Sequence, residues 1–323
     1  MIFAAGTVST IISRTPMNDR TGLIIEMTLS TPAEPYDFDA LWDYHNPAET
    51  EAKFRDLLKK KAEAPEHVAY RAELLTQIAR TLGLQQKFDS AHALLDQVES
   101  RLAEAGDRAH VRYLLERGRT YRSAGKDDLA SPLFEGAWDK AADKGLDFYA
   151  VDAAHMLGIV ITGDGGMEWN RLAIARAEAS GDPKARNWLG SLYNNTGWTH
   201  FDAKEYDNAL QMFTHALDFR KQQDTPGEIL IARWCVAKTL RFLGRVDSAL
   251  AIQHSLLDAW AALGDPDGYV HEEIGECLFL QNQPQDAAPH FKKAFELLSL
   301  DIWISRDEPD RLKRLKELGA LAL

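Results

Sequence analysis

From about residue 67 onward, apolar positions recur at spacings of three and four, the signature of amphipathic helices. The clearest stretch runs from Arg186 to Asp224 and reads as two helices joined by a short turn. Leu192, Tyr193 and Gly197 share one face of the first, and Ala209, Leu210, Phe213, Ala216 and Leu217 share one face of the second. Gly197, Ala209 and Ala216 are small enough to let two helix backbones approach closely. Phe213 is large enough to fill the space between them.

This pattern returns along the chain. A small residue in each first helix falls at Ala79, Gly118, Gly158, Gly197, Ala237 and Gly275, in steps of 39, 40, 39, 40 and 38 residues. Twelve residues beyond each come Ala91, Ala130, Asn170, Ala209, Ala249 and Ala287. Four further on come Leu95, Phe134, Ile174, Phe213, Gln253 and Phe291, and after three more Val98, Ala137, Ala177, Ala216, Leu256 and Ala294. The third unit departs at Asn170 and the fifth at Gln253, so those two pairs are expected to pack differently. Repetition at a fixed period means stacked units, none of which buries its apolar face alone.

The ends are less regular. Residues 1–35 show no sustained periodicity and are expected to be disordered. The apolar part of MIFAAGTVSTIISR is short and interrupted, and no Lys or Arg precedes it, so it does not read as a signal peptide. Met17 and Met27 offer alternative starts. Residues 36–66 read as capping helices, a short one over 36–45 and one over 47–63 opened by Asn46-Pro47 with Glu49 three residues on. Second helices are expected to stop at Gly106-Asp107, Gly145, Gly181-Asp182 and Gly264-Asp265, with Pro183, Pro226 and Pro266 opening the helices that follow. In the third unit the second helix stops early at Gly181 and the turn is Gly-Asp-Gly-Gly (163–166), so the next first helix is expected to start early. Residues 301–323 supply a last charged helix with Leu312, Leu315 and Leu318 inward, a lid over the final repeat.

These residues resemble the tetratricopeptide repeat family, whose pattern W-x2-L-G-x2-Y…A-x3-F…P is partly met. Gly118 and Tyr121 fit its first-helix part in the second unit, and Leu157-Gly158 in the third. The turn before the second helix recurs as AGK (124–126) and LGR (243–245). The terminal Pro is missing and the period is nearer forty than thirty-four. That resembles the long-helix subtype of kinesin light chains, polarity scaffolds and the sensor arms of bacterial signalling ATPases. The resemblance covers about residues 67–300. It implies an all-α, right-handed α-solenoid of six helix pairs with capping helices at both ends, whose first helices line a concave groove.

Composition narrows the function. The chain has 323 residues, 45% apolar and 27% charged, with net charge −12 and pI about 5.3. General nucleic-acid binders are basic, so nucleic acid is not the expected partner. No stretch is apolar enough to span a bilayer, and two cysteines, Cys235 and Cys277, make no disulfide framework and fit a reducing cytoplasm. There is no nucleotide-binding loop, no nucleophile elbow and no H-E-x-x-H. His271, Glu272, Glu273, Glu276 and Cys277 are the nearest to a metal cluster, but His271 and Cys277 do not share a helix face, and no metal or cofactor is expected.

The positions expected to face the groove lie three before, one after and four after each small marker. They form a basic patch, Arg80, Arg119 and Arg122 with Arg112 nearby. They form an aromatic, amide and cationic patch, Asn194, Asn195, Trp198, Trp234, Lys238 and Arg241. Glu272, Glu273 and Glu276 form an acidic end. Asn amides can bond both groups of an extended backbone, Trp offers contact area, and Arg grips carboxylates. Trp198 and Trp234 read equally as core between repeats, and the arginines as internal partners of acids such as Glu116. No Lys stands where a chaperone-tail clamp would need one beside Asn194 and Asn195. The reading is a non-enzymatic scaffold that holds an extended or helical peptide segment, with acidic groups of the partner meeting the cations. Its alternative is a peptide- or ligand-responsive sensor acting in trans on a signalling or transcription protein.

Overall fold

The computed structural model describes residues 37–61 and 68–320. The expectations for residues 1–35 lie outside the described residues. The fold is all-α, and no strand occurs among the described residues. The helices gather into two compact units, one ending at Trp188 and one starting at Leu189.

In the first unit a 3-10 helix, Phe38–Leu41, precedes α1 (Pro47–Lys61). A longer helix was expected over 36–45. Instead the chain makes one turn, with the Asp37 side chain accepting from the Asp39 N–H at 3.1 Å. Asn46 opens α1 as expected: its Oδ1 accepts from the Glu49 N–H at 3.3 Å, while its amide donates to Glu49 Oε2 at 2.9 Å. Three hairpins follow: α2 (Val68–Leu84) with α3 (Phe88–Glu99), α4 (Leu102–Ser123) with α5 (Asp127–Asp143), and α6 (Asp147–Val160) with α7 (Asp164–Ala179). A short α8 (Pro183–Arg186) ends the unit.

The second unit stacks α9 (Leu189–Asp202) with α10 (Tyr206–Gln223), α11 (Pro226–Phe242) with α12 (Val246–Ala262), and α13 (Gly268–Leu280) with α14 (Pro284–Leu298). Then come α15 (Ile302–Asp307) and α16 (Pro309–Gly319). The last helix packs on α14 with Leu315 fully buried and Leu312 and Leu318 partly so.

Each hairpin closes where the repeat pattern places its small residue. A Cβ added to Gly118 would sit 2.6 Å from the Phe134 ring, one added to Gly197 2.6 Å from Phe213, and one added to Gly275 2.8 Å from Phe291. All three phenylalanines are fully buried. Leu95 and Ala79 fill the same places in the first hairpin. The two departures pack differently. In the third hairpin a Cβ on Gly158 would meet Asn170 Oδ1 at 2.2 Å, so an amide lies where the ring lies elsewhere. In the fifth pattern unit Gln253 is fully buried, and neither polar atom of its side chain has a hydrogen-bond partner.

The turn inside each hairpin is equally regular. Seven residues past the small marker the backbone is left-handed: Gln86 (φ 60), Gly125 (φ 72), Lys204 (φ 63), Gly244 (φ 75) and Asn282 (φ 60). Only two of these are glycines, so the sequence signalled the turn as AGK and LGR and was silent at the other three. The third hairpin has a shorter turn, in which Gly163 takes the positive φ of 68°. A Cβ on Gly166 would lie 2.1 Å from the Ile161 carbonyl oxygen, so the Gly-rich turn serves close backbone approach.

Several helix ends differ from expectation. The helix expected to run to Gly106 stops at Glu99, and the next begins at Leu102 with a break at Gly106 (φ 83°, ψ 174°). The early-starting fourth first helix is split into α8 and α9. Asp182 caps α8 by accepting from the Lys184 N–H at 2.8 Å. Asp267 rather than Asp265 caps α13, accepting from the Tyr269 N–H at 2.7 Å, so Pro266 lies before that helix instead of opening it.

Gly197→Ala forces a methyl into the Phe213 ring and is expected to destabilise the chain by about 1–2 kcal/mol, overpacking outweighing the better helix propensity of Ala. Gly136→Ala in α5, where the new methyl would meet only Leu114 Cδ1 at 3.7 Å, is expected to be neutral or stabilising. Urea titrations of both variants check the pair, and equal midpoints would contradict the packing account.

Candidate interaction surfaces

In each unit the first helices carry the polar and aromatic side chains expected to face a groove. The structure sorts those positions. Of the positions three before the marker, Thr76, Leu115 and Glu272 are buried, at 0%, 1% and 7% exposure, while His155, Asn194 and Trp234 are half-buried. The positions one and four after it stay at least partly open, and Arg80, Arg119, Arg122, Trp198, Phe201, Lys238 and Arg241 are all half-buried.

In the first unit, Trp42 and Tyr44 stack with ring centroids 4.6 Å apart, and the Arg80 guanidinium lies 5.6 and 5.2 Å from them. Trp42 Nε1 donates to Gln77 Oε1 at 3.1 Å. Arg80 then meets Glu116 Oε1 at 3.4 Å, Arg119 meets the same oxygen at 2.6 Å, and Arg119 also bonds Asp152 on α6. Burial opposes the charge on Arg119, but Asp152 and Glu116 outweigh it and raise its pKa. Arg112 is buried against Asp39, Glu73 and the Tyr149 hydroxyl. The basic patch is therefore largely neutralised by its own chain, and among the described residues Arg122 alone of these four has no ion pair. His155 stands behind it against Trp188, ring centroids 5.0 Å apart. Burial, reinforced by Arg119 and Arg122 against an opposing Asp152, lowers its pKa to about 4, so it is neutral near pH 7. A hollow of about 170 Å³ opens between α2, α4 and α6, bounded by Arg80, Leu84, Glu116, Arg119, Arg122 and Met156.

In the second unit, α9, α11 and α13 set aromatic rings side by side. Trp198 touches Phe201, Phe213 and Trp234 at centroid distances of 5.2, 5.1 and 6.0 Å, and Trp234 reaches Tyr269 at 5.8 Å. Phe201, Tyr206 and Phe242 form a second cluster at the helix ends, where Phe242 is 42% exposed. Each tryptophan is half-buried, Trp198 packed on Phe213 and Trp234, and Trp234 on Tyr269. Asn194 and Asn195 lie half-buried on α9, and Asn194 Oδ1 accepts from the Cys235 thiol at 3.7 Å. Lys238 lies 5.0 Å from the Trp234 ring and bonds Glu273 at 2.7 Å. Arg241 grips the same carboxylate through Nε and Nη2 at 2.7 and 2.9 Å.

The acidic end is not a solvated face. Glu273 is 1% exposed, Glu272 is bonded by Arg311, and Glu276 by Arg314. Cys277 is fully buried, and among the described residues no group of three or more His, Cys, Asp and Glu side chains is placed to hold a metal ion. No helix among them is long and apolar enough to cross a membrane. Sequence reasoning missed the carboxylate partners on neighbouring helices apart from Glu116. For Glu73, Glu273 and Glu272 a signal was present, since they lie 32–39 residues from their cations, about one repeat away, whereas Asp39 lies 73 residues from Arg112.

Residues 189–222 match the family model for the tetratricopeptide repeat. In structure the chain is similar to the apo form of RapI, with a TM-score of 0.69 and 12% identity over 88% of this chain and 80% of that one. It is similar to a signal transduction ATPase with a tetratricopeptide repeat sensor from Pyrococcus horikoshii, at 0.67 and 13%, covering 86% of this chain and 44% of that one. It is similar also to BtubC from P. vanneervenii, at 0.55 and 17%, covering 71% and 93%. At these identities the structural likeness is one of fold. No curated protein matches in sequence. The family model thus accounts for one repeat of the chain, and the chain shares the fold of these structures.

Burial pushes the Glu273 carboxyl up, but Lys238 and Arg241 outweigh it and hold its pKa near 2, against the usual 4.5. Its folded value lies below its unfolded one, so the pair stabilises fully above about pH 5 and loses its effect as pH falls toward 2. Glu273→Gln is expected to lower stability by about 3 kcal/mol at pH 7, because two half-buried cations lose their anion. The gap to wild type should shrink steadily from pH 5 to pH 2.5 in thermal melts. A gap independent of pH would refute the assignment.

Proposed function

We propose that the chain is a non-enzymatic protein-interaction module, and that a segment of a partner protein lies along α9, α11 and α13 of the second unit. The observation that carries this reading is the row of half-buried rings, Phe201, Trp198, Trp234 and Tyr269, in contact across three successive first helices. A row of this kind presents contact area whose rotamers are already ordered by neighbours, which lowers the entropy lost on binding. Asn194 and Asn195 supply amide groups beside it.

Lys238 and Arg241 flank the row while bonded to Glu273. An ammonium has three donors and a guanidinium five, so both keep N–H groups that can donate to partner carbonyls or carboxylates without breaking the internal pair. In the first unit Arg80 and Arg119 are held in the same way, and Arg122 is the cation with most freedom to meet an acidic group. The expected partner is thus a protein segment, extended or helical, whose apolar side chains meet the rings and whose carbonyls or acids meet the remaining donors.

Trp198 packs on the buried Phe213, so its truncation would disturb the core as well as the surface. Asn194→Ala and Phe242→Ala are the cleaner variants. Each is expected to weaken binding of a purified partner about tenfold, on the order of 1–2 kcal/mol, with the helical circular dichroism unchanged. Leu129→Ala, at an exposed position of the first unit, should bind as wild type. Unchanged affinity in both second-unit variants would place binding elsewhere.

A further inference from the structure

The last hairpin holds a pair of histidines that the ring row does not use. The fit of Phe291 against Gly275 brings the backbones of α13 and α14 close together. His271 lies one turn before Gly275 and His290 immediately before Phe291, so the same fit sets their imidazoles against each other. Their Nδ1 atoms are 3.2 Å apart and their ring centroids 5.4 Å, and both side chains are half-buried. A third ring, His254 on α12, is exposed, with its centroid 6.4 Å from that of His290. Burial, followed by His290 and Lys293, lowers the pKa of His271 to about 4. Burial and then His254 lower that of His290. Both rings are therefore neutral near pH 7, the form in which an imidazole nitrogen has a lone pair to give.

We propose that this pair is a two-histidine chelate for a divalent ion of the zinc class, with His271 Nδ1 and His290 Nδ1 as neighbouring ligands and water in the remaining positions. With metal–nitrogen bonds of about 2.0–2.1 Å, nitrogens 3.2 Å apart subtend an angle of about 100° at the ion, close to tetrahedral. Two imidazoles suit Zn²⁺, Cu²⁺ and Ni²⁺, whereas Mg²⁺ and Ca²⁺ take oxygen ligands. Without the ion, one Nδ1 carries the hydrogen that bonds the other ring. On binding, that ring takes the Nε2–H tautomer, so the proton changes nitrogen and none is released overall. Lys293 is the cation nearest in effect, and it is itself paired with Glu296 at 3.5 Å. His254 is not a ligand, since no group of three such side chains among the described residues is placed to hold an ion. A chelate across α13 and α14 braces the final hairpin and leaves its water positions open to a donor from another molecule. None of this depends on the ring-row reading.

The test titrates the full chain, stripped of metal by a chelator, with Zn²⁺ alone at pH 7. The reporters are the histidine ring C–H signals in NMR spectra, assigned through His271→Gln and His290→Gln. The signals of His271 and His290 are expected to move together and saturate at one ion per chain, and Mg²⁺ at the same concentrations should move neither. His271→Gln and His290→Gln should each weaken Zn²⁺ binding at least about tenfold with helical circular dichroism unchanged, while His254→Gln should bind as wild type. No saturable shift at the pair, equal shifts spread over the scattered histidines, or wild-type affinity in either pair variant would each overturn the proposal. These titrations involve no partner protein. Their failure would leave the ring-row reading standing, and failure of the Asn194 and Phe242 variants would leave the chelate standing.

Discussion

The structure depends on one steric fit, an aromatic ring packed against a helix backbone where the facing residue has no side chain. Phe134 on Gly118, Phe213 on Gly197 and Phe291 on Gly275 bring the helices of a hairpin closer than any larger residue at the marker would allow. Interiors are packed to crystal-like density, so this contact decides both the spacing and the rotation of the pair. Everything else on the first helices follows from that rotation: which residues enter the seam toward the next hairpin, and which remain open.

The seams carry a second constraint. Neighbouring first helices are joined by ion pairs, Arg119 to Asp152 and Lys238 and Arg241 to Glu273, and the last helix is tied to α13 by Arg311 and Glu272. Buried pairs are weak sources of net stability but strongly resist losing one partner. They therefore hold the lateral register of one hairpin against the next more than they hold the chain folded. They also change the chemistry of the surface. A row of cations that reads as an acid-binding patch becomes a set of side chains already aligned by internal carboxylates, with spare donors and little free charge. Rings, amides and single unmet groups then dominate what the surface can recognise.

The two irregular hairpins show how far a repeat tolerates departure. Asn170 takes the place of a ring against Gly158, and the turn beside it is shortened around Gly163. Gln253 is buried with both polar atoms unmet. Each is a local breach of the packing rule in a hairpin whose neighbours keep it. Stability in a stacked array is shared between adjacent units, so one poorly matched pair can be carried by the next.

Much of the fold was legible from spacing alone, because helix pairing is a short-range matter. The small markers, the residues twelve, sixteen and nineteen positions on, the caps at Asn46 and Asp182 and the inward leucines of the last helix all depend on neighbours within about forty residues. The candidate surfaces were legible only in part. Sequence spacing could put Arg119, Lys238 and Trp198 on the right helices, but not say what stood opposite, because the partners come from the next repeat at offsets varying between 32 and 39 residues. It also could not see left-handed turns held by Gln86 and Lys204, residue types that rarely advertise that conformation. What the amino-acid order determined by itself was the hairpin, since a periodic face and a missing side chain suffice to specify one. What only the tertiary structure decided was the charge state of the surface, since a cation's freedom depends on whether a carboxylate from another helix reaches it in space.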